Sequence, residues 1–290
     1  MGADIKIEDA DVVIRPVQSI EAYRAAEQLQ RDVWGFSDVE VVNTGLLITA
    51  QKNGGLVLGA FEKQAAGGER MIGCVFGFVG LTPTGQIKHC SHMAGVLPVR
   101  QNRNVGYRLK LAQREFVLSQ GIDLVTWTFD PLESRNAYLN FHKLGVLSNT
   151  YWRNLYGELR DDLNAGIATD RFMVEWHLNS PEVVDHLSGE GPSASIATLQ
   201  AAGVPVINPA QPGDPLQPAT EVLSMEAQRI LVQVPANFQA IKAADFDLAL
   251  AWRIHTRQVF EKAFAAGYMA VDFFHEEGRS YYLLTKGKGE

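Results

Sequence analysis

The chain has 290 residues, of which 46% are hydrophobic and 20% are charged, and its formal net charge is −7. This composition supports a globular core and excludes the basic surface expected of a nucleic-acid-binding protein. The longest apolar stretch is too short to span a bilayer, two cysteines are too few for a disulfide framework, and the polar N-terminus lacks a signal-peptide region, so we expect a cytoplasmic protein.

Alternating and helical spacings of apolar residues predict the elements of the first half of the chain. These elements are a strand from Asp11 to Val17, a helix from Ile20 to Trp34, strands over Leu56 to Glu62 and Met71 to Leu81, a longer strand from Ile87 to Val99 that ends at Pro98, a helix that stops at Gly121, and a strand from Ile122 to Phe129. The helix before Gly121 should bury Val105, Leu109, Ala112 and Phe116 on one face.

A further helix is predicted to start at Asp130. Asp130 is expected as the N-cap, Pro131 fits the first helical position, and Glu133 completes a capping box. Phe141 belongs to the buried stripe of this helix, and Gly145 should end it.

The rest of the chain predicts a smaller second part. A strand should run from Phe172 to Leu178, and residues 186–220, which are rich in Pro, Gly, Ser and Ala, resemble a linker. Beyond it we expect a strand over Ile230 to Val234, a long helix over Asp245 to Ala266, and two strands between Tyr268 and Thr285. The predicted domains are therefore residues 1–185, a linker over 186–220, and a strand–helix–strand lobe over 221–290.

Short polar residues and a glycine run from Arg100 to Gly106 and lead directly into a helix. A helix N-terminus has free backbone N–H groups and partial positive charge, which suit a diphosphate. Since the same pattern caps helices that bind nothing, the loop alone leaves both interpretations open.

Two sequence blocks in this region resemble the acyl-coenzyme A (acyl-CoA) core of the GNAT N-acyltransferase superfamily. The first is the signature Gln or Arg, two residues, Gly, one residue, then Gly or Ala, which stands here as Gln101-Asn102-Arg103-Asn104-Val105-Gly106. Asn104 replaces the first glycine, and Asn is the residue that most readily adopts positive φ after glycine. The second block extends from Asn136 to an aromatic-x-Lys-Leu-Gly end at Gly145.

The resemblance covers about Asp11 to Leu178. It implies an α/β (α+β) fold with a mixed, mostly antiparallel central sheet and flanking helices, to which the C-terminal lobe is an extension. Ser91-His92-Met93, Asp170-Arg171-Phe172, residues 127–132 and the long extension resemble a branch of predicted acetyltransferases. Some relatives of that branch are succinyl-CoA-dependent N-succinyltransferases of amino acids.

The resemblance also implies roles for individual residues. The diphosphate would rest on the backbone of the signature loop, the pantetheine arm would run beside the preceding strand, and one N–H near Val96 would polarise the thioester carbonyl. The implied cofactor contacts are Val96, Leu97, Val99, Gln101, Asn102, Arg103, Asn104, Val105, Gly106, Tyr107, Asn136 and Phe141. The tyrosine that usually protonates the departing thiolate is replaced by Phe141, and Tyr138 could serve instead only if the helix were rotated.

His92 is the leading candidate for the general base, because a neutral histidine has a suitable pKa and lies on the strand that enters the loop. The alternative is a structural histidine bonded to a neighbour. His89 should lie on the opposite face of that strand, since side chains alternate, which weakens any metal site with His92. No metal is therefore expected.

Charged residues elsewhere allow two interpretations each. Asp130 and Glu133 are either helix caps or acid/base carboxylates. Arg171 either follows a plain turn as an exposed charge or binds an acceptor carboxylate in fork geometry. Arg253 and Arg257, spaced i and i+4, form either a solvated face or an anion clamp, and we assign Arg171 and Arg253 to substrate binding.

The predicted function is an N-acyltransferase that uses acetyl-CoA or succinyl-CoA and acts on a small amine or amino acid by direct attack on the thioester. The alternative is a catalytically weak or inactive acyl-CoA-binding regulatory protein. A hydrolase is disfavoured because no nucleophile–base–orienter triad is visible. No nucleic-acid or membrane partner is expected, and the C-terminal lobe leaves a homodimer open.

Overall fold

The computed structural model describes residues 7–9, 11–159, 161, 163–189 and 194–287. They form two compact units. The first extends to Trp127 and includes Asp161–Leu163, and the second comprises Thr128–Arg160 and Asn164–Glu290. The domain boundaries predicted at residues 185 and 220 stay predictions, and residues 190–193 and 288–290 of the predicted linker and lobe lie outside the described residues.

The first unit is a sheet with three helices. Its elements are β1 (Ile7–Asp9), β2 (Val12–Pro16), α1 (Ile20–Trp34), α2 (Thr44–Lys52), β3 (Leu56–Lys63), β4 (Glu69–Leu81), β5 (Ile87–Val96), α3 (Val105–Ser119) and β6 (Leu124–Phe129), the last of which continues into the second unit. The strands lie in the order β1-β2-β3-β4-β5-β6. Neighbours are antiparallel except for β5 and β6, which pair in parallel.

Local signals explain the helices that sequence predicted correctly. Helix α1 has the predicted bounds because Ser19 caps it by accepting from the backbone N–H of Ala22, and Gly35 ends it with φ of 69°. Helix α3 buries Val105, Leu109 and Ala112 as predicted, whereas Phe116 is only partly buried. Helix α2 was not predicted, since of its apolar side chains only Leu47 is buried and no amphipathic stripe results.

The second unit contains a five-stranded sheet and five helices among its described residues. They are α4 (Ser134–Ala137), β7 (Leu147–Trp152), β8 (Arg171–His177), α5 (Pro181–Ser188), α6 (Ile196–Ala201), β9 (Arg229–Val234), α7 (Phe238–Ala244), α8 (Phe246–Ala265), β10 (Tyr268–Glu276) and β11 (Arg279–Lys286). Neighbours in the order β8-β7-β10-β11-β9 are antiparallel. With one parallel pair in the first unit, the strands are mixed and mostly antiparallel, which confirms the predicted fold class.

The predicted helix start at Asp130 is wrong. Oδ1 of Asp130 does accept from the N–H of Leu132 at 2.9 Å, but α4 begins only at Ser134, and its N-cap Glu133 makes no side-chain capping bond. From Tyr138 to Lys143 the helix is of the π type. Spacing in the sequence could not show this widened turn, which shifts every later residue relative to an α-helix.

The Pro- and Gly-rich stretch over 186–220 is partly structured. Helix α6 lies within it and packs Ile196 and Leu199 into a small apolar cluster with Leu231 and Phe274. Beyond this helix, the stretch also pairs with β9 through a parallel bridge between Val206 and Leu231. No helix among the described residues is both long enough and apolar enough to cross a membrane.

Candidate active site

At the end of β5, one backbone N–H group pairs with β4 and its neighbour points away from β4. Val96 lies opposite Gly73, and the N–H of Leu97 bonds to the carbonyl of Ile72 at 2.9 Å. Because bonded and non-bonded pairs alternate along an antiparallel ladder, the N–H of Val96 points to the other side of the strand. On that side the parallel register with β6 matches only His89 and Cys90.

The loop after β5 is largely exposed and contains two residues with left-handed backbone. A short 3₁₀ turn spans Pro98–Arg100, and Asn102 and Asn104 then adopt φ of 66° and 56°. Asn104, the N-cap of α3, is left-handed and its side chain makes no capping bond to the helix. A left-handed residue followed by helical ones turns successive N–H groups inward to form an anion-binding concavity. The positive φ expected for Asn104 is confirmed.

Two side chains hold this loop to the sheet. Nε and Nη2 of Arg100 bond to the Glu62 carboxylate of β3 at 2.8–3.0 Å. Nε2 of Gln101 donates to the carbonyl of Val96 at 3.1 Å. Gln101, the first residue of the signature, therefore ties the loop back to the end of β5.

His92 lies on the face of β5 opposite His89, as predicted. Its side chain is exposed and contacts the rings of Phe76 and Phe78, with centroids 5.7 and 6.0 Å away. Desolvation beside these rings lowers the pKa of His92. The imidazole is therefore neutral at neutral pH, as a general base must be.

The other face of β5 carries a group that sequence reasoning missed, which we call the Lys110 cluster (His89, Ser91, Lys110 and Gln113). Nζ of Lys110 donates to Oγ of Ser91 at 2.8 Å and to Oε1 of Gln113 at 3.1 Å. The same ammonium lies 3.6 Å from the ring centroid of Trp127. The sequence carried one signal for this cluster, because Lys110 and Gln113 directly follow Leu109 and Ala112, which were predicted to be buried on α3.

Burial controls the charges of this cluster. Lys110 is 3% exposed, and desolvation lowers its pKa to about 7. Desolvation and the nearby Lys110 lower the pKa of His89 to about 4. His89 Nε2 lies 3.1 Å from Nε2 of Gln113, while its Nδ1 has no partner among the described residues. The cluster joins α3 to β5, and among the described residues no carboxylate pairs with Lys110.

Three residues predicted to contact the cofactor or to act as the acid belong to the second unit. They lie in α4 and in the π-type turn that follows it. Asn136 is exposed on α4. Phe141 is completely buried, with ring centroids of Phe129 and Tyr282 at 6.1 and 5.5 Å. Tyr138 is half-buried and stacks on His142 at 4.7 Å. Of the two positions considered for an acid, only Tyr138 has a hydroxyl group.

Arg253 and Arg171 have surroundings different from those predicted. Arg253 is 0% exposed, and both its terminal nitrogens bond to the Asp130 carboxylate. Arg171 is buried, donates to Oδ1 of Asn164 at 2.7 Å, and lies 3.6 Å from Asp130. Of the two interpretations left open for each residue, the solvated face for Arg253 and the exposed charge for Arg171 are wrong. Both guanidinium groups already bind side chains of the protein, and the assignment of both residues to substrate binding stays a prediction.

Arg257 pairs with a second buried carboxylate. Its Nε and Nη2 bond to Asp170 at 2.7 and 2.9 Å, and the Tyr151 hydroxyl donates to Asp170 at 2.6 Å. Burial opposes ionisation of Asp170, but these hydrogen bonds hold its pKa below the ordinary value. We call the ion pairs of Asp130 and Asp170 with Arg253 and Arg257 the paired network.

Glu133 is a carboxylate with altered acidity. Burial, and then the nearby Asp130, raise its pKa, while a 2.6 Å hydrogen bond from Gln239 partly offsets the rise. Among the described residues no group of three or more His, Cys, Asp or Glu side chains is arranged to hold a metal ion.

No family model matches the sequence, and no curated protein matches it. Solved structures are similar over part of the chain. The NatC complex bound to Gag peptide and CoA includes a chain with 12% identity and a TM-score of 0.47, over 58% of this chain and 98% of that one. A ribosomal-protein-S5-alanine acetyltransferase from Vibrio fischeri has 14% identity and a TM-score of 0.46, over 61% and 98%.

A GNAT family acetyltransferase from Elizabethkingia anophelis with acetyl-CoA bound has 16% identity and a TM-score of 0.41, over 58% of this chain and 99% of that one. Identities and TM-scores of this size identify no shared activity.

Proposed function

We propose that the protein is an acyl-CoA-dependent N-acyltransferase that transfers an acetyl or succinyl group to a small amine or amino acid. The observation that supports this most is the exposed loop in which left-handed Asn104 leads into α3. Main-chain N–H groups gathered at a helix N-terminus suit a diphosphate, which coenzyme A carries. Gly106, the second residue of α3, allows that diphosphate to approach the main chain.

The strand before the loop supports the same proposal. The N–H of Val96 points away from β4 at the point where a pantetheine arm would run along β5. A backbone donor there would stabilise the negative charge that develops on the thioester oxygen.

In the proposed reaction the amine nitrogen attacks the thioester carbon. A C–N bond forms, the C–S bond breaks, and coenzyme A leaves as the thiolate. His92 accepts the proton that the amine loses, since it is exposed and neutral at neutral pH. Because a thiol has a pKa of about 8.5, the thiolate can leave without an acid, and Tyr138 is the proposed donor if one is needed.

Replacing His92 with Ala tests its role. The rate should fall about 100-fold near neutral pH and less in alkali, where the acceptor is already deprotonated. His177→Ala, which removes an exposed histidine of β8, is the control and should leave the rate unchanged. An equal fall in rate at every pH would show that His92 is structural and not the general base.

A second candidate function is an acyl-CoA-binding regulatory protein without turnover. The observation that favours it is Phe141, which is completely buried among aromatic rings and has no proton to donate. Both candidates use the same loop, and only the first releases free thiol.

The deciding experiment measures thiol release from acetyl-CoA and succinyl-CoA with a matrix of D- and L-amino acids and simple amines. Steady, amine-dependent release supports the transferase. Tight binding of acyl-CoA without release supports the regulatory protein, and no binding contradicts both. We propose a cytoplasmic reaction without nucleic-acid or membrane partners, and light scattering with and without acyl-CoA tests for a homodimer.

A further inference from the structure

The second unit contains a cleft of ≈ 410 Å³ that is separate from the residues assigned above. Its walls include Val206, Pro209 and Leu216 on the apolar side, and Gln233, Arg279 and Tyr281 on the polar side. The volume lies within the range of about 300–1,000 Å³ that is usual for small-molecule sites. Mixed apolar and polar walls are also typical of such sites.

Side-chain hydrogen bonds fix one wall of this cleft. Asn208, which is completely buried, donates to the carbonyl of Gln233 at 2.9 Å and accepts from its N–H at 2.8 Å. The indole of Trp252 donates to the carbonyl of Leu216 at 3.0 Å. The segment that carries Pro209 and Leu216 is therefore held to β9 and α8, and the wall does not depend on a ligand.

Gln233 brings an unpaired donor to the cleft. Its side chain is 5% exposed, and Oε1 accepts from the N–H of Ala210 at 2.8 Å. Nε2 has no hydrogen-bond partner among the described residues. It is not among the fully buried atoms without a partner, and Gln233 lines the cleft. Its N–H groups therefore face the cleft, where only a bound group or water can satisfy them.

Two further donors lie on the polar side, which also includes the exposed Gln200. Tyr281 is 5% exposed and its hydroxyl bonds to no described residue. Arg279 is exposed, forms no ion pair within the described chain, and is the only charged residue in the lining. One cation with two neutral donors and an apolar wall matches an anion of single charge with an apolar body.

We propose that this cleft binds a small organic monocarboxylate. Arg279 pairs with the carboxylate, Nε2 of Gln233 and the hydroxyl of Tyr281 donate to it, and its apolar body packs on Val206 and Leu216. This site is independent of the proposed acyl transfer and uses none of its residues.

Calorimetric titration of the whole chain with butyrate, hexanoate and phenylacetate tests this site, with hexanamide and inorganic phosphate as comparisons. At least one carboxylate should bind saturably, and it should bind about tenfold more tightly than the neutral amide. Arg279→Gln should weaken it about tenfold and Tyr281→Phe about threefold. Arg229→Gln, at an exposed position of β9 outside the lining, is the matched control and should have no effect.

Because Arg279 and Arg229 are exposed, we expect both variants to fold, and thermal unfolding of both variants checks this. The proposal is overturned if no carboxylate saturates the protein, if Arg279→Gln binds as tightly as the wild type, or if phosphate or hexanamide binds as well as the carboxylates. None of these results depends on thiol release from acyl-CoA, so this experiment tests the carboxylate site independently of the proposed transferase.

Discussion

The two units bury charge in opposite ways. In the first, Lys110 is buried against Trp127 with hydroxyl and amide partners, and desolvation lowers its pKa to about 7. In the second, Arg253 is buried as deeply but retains its charge, because the Asp130 carboxylate binds both its terminal nitrogens. A lysine can release its proton when it lacks a counter-ion, whereas an arginine cannot, and this difference dictates which residue needs a partner.

Breaking the paired network should have the largest effect. Arg253→Met leaves the buried Asp130 with the more distant Arg171 as its nearest cation, and we expect the free energy of unfolding to fall by about 3–5 kcal/mol. Urea denaturation measures it. Arg153→Met is the control, because it breaks an ion pair with Glu261 in which the Arg153 side chain is 62% exposed. This replacement should lower the free energy of unfolding by less than about 1 kcal/mol. Equal losses in the two variants would contradict the distinction.

Replacing Lys110 should change how the stability of the protein depends on pH. The folded pKa of about 7 lies below the unfolded value of 10.5, so the unfolded state binds more protons between these values and stability rises with pH there. Between about pH 7.5 and about pH 9 the wild type should gain about 1–2 kcal/mol relative to Lys110→Met. Urea denaturation of both proteins at the two pH values measures this gain. Parallel pH profiles would show that Lys110 stays charged when buried.

A backbone substitution should have a smaller effect. Asn104→Ala places a residue with little tolerance for φ of 56° at the start of α3, which should cost about 1 kcal/mol. Asn104→Gly is the matched control and should cost nearly nothing, because glycine adopts this conformation freely. If the two variants unfold at the same urea concentration, the left-handed conformation does not constrain this position.

Sequence predicted best those features that depend on neighbouring residues. The bounds of α1 follow from Ser19 and Gly35, and the left-handed Asn104 follows from its place in the signature. The start of α4 was misplaced because Asp130 binds Arg253, 123 residues away along the chain. No local pattern contains that partner.

The same reason explains the errors at the candidate site. Arg253 and Arg257 have the spacing of a solvated pair, and only the fold brings Asp130 and Asp170 to them. The Lys110 cluster was missed because a lysine on a helix normally predicts an exposed face. The π-type turn after α4 leaves no periodic signal over six residues.

The proposed transferase requires that the main chain from Gln101 to Gly106 bind the diphosphate of coenzyme A. Calorimetric titration of acetyl-CoA into the wild type, Gly106→Val and Gly80→Val tests this binding. Gly80 lies on β4, and the space that a side chain would enter there is open, so its replacement controls for a general loss of fold. We expect Gly106→Val to weaken binding more than about tenfold and Gly80→Val to bind as the wild type does. Equal affinity in all three proteins, or no binding to the wild type, would contradict the claim.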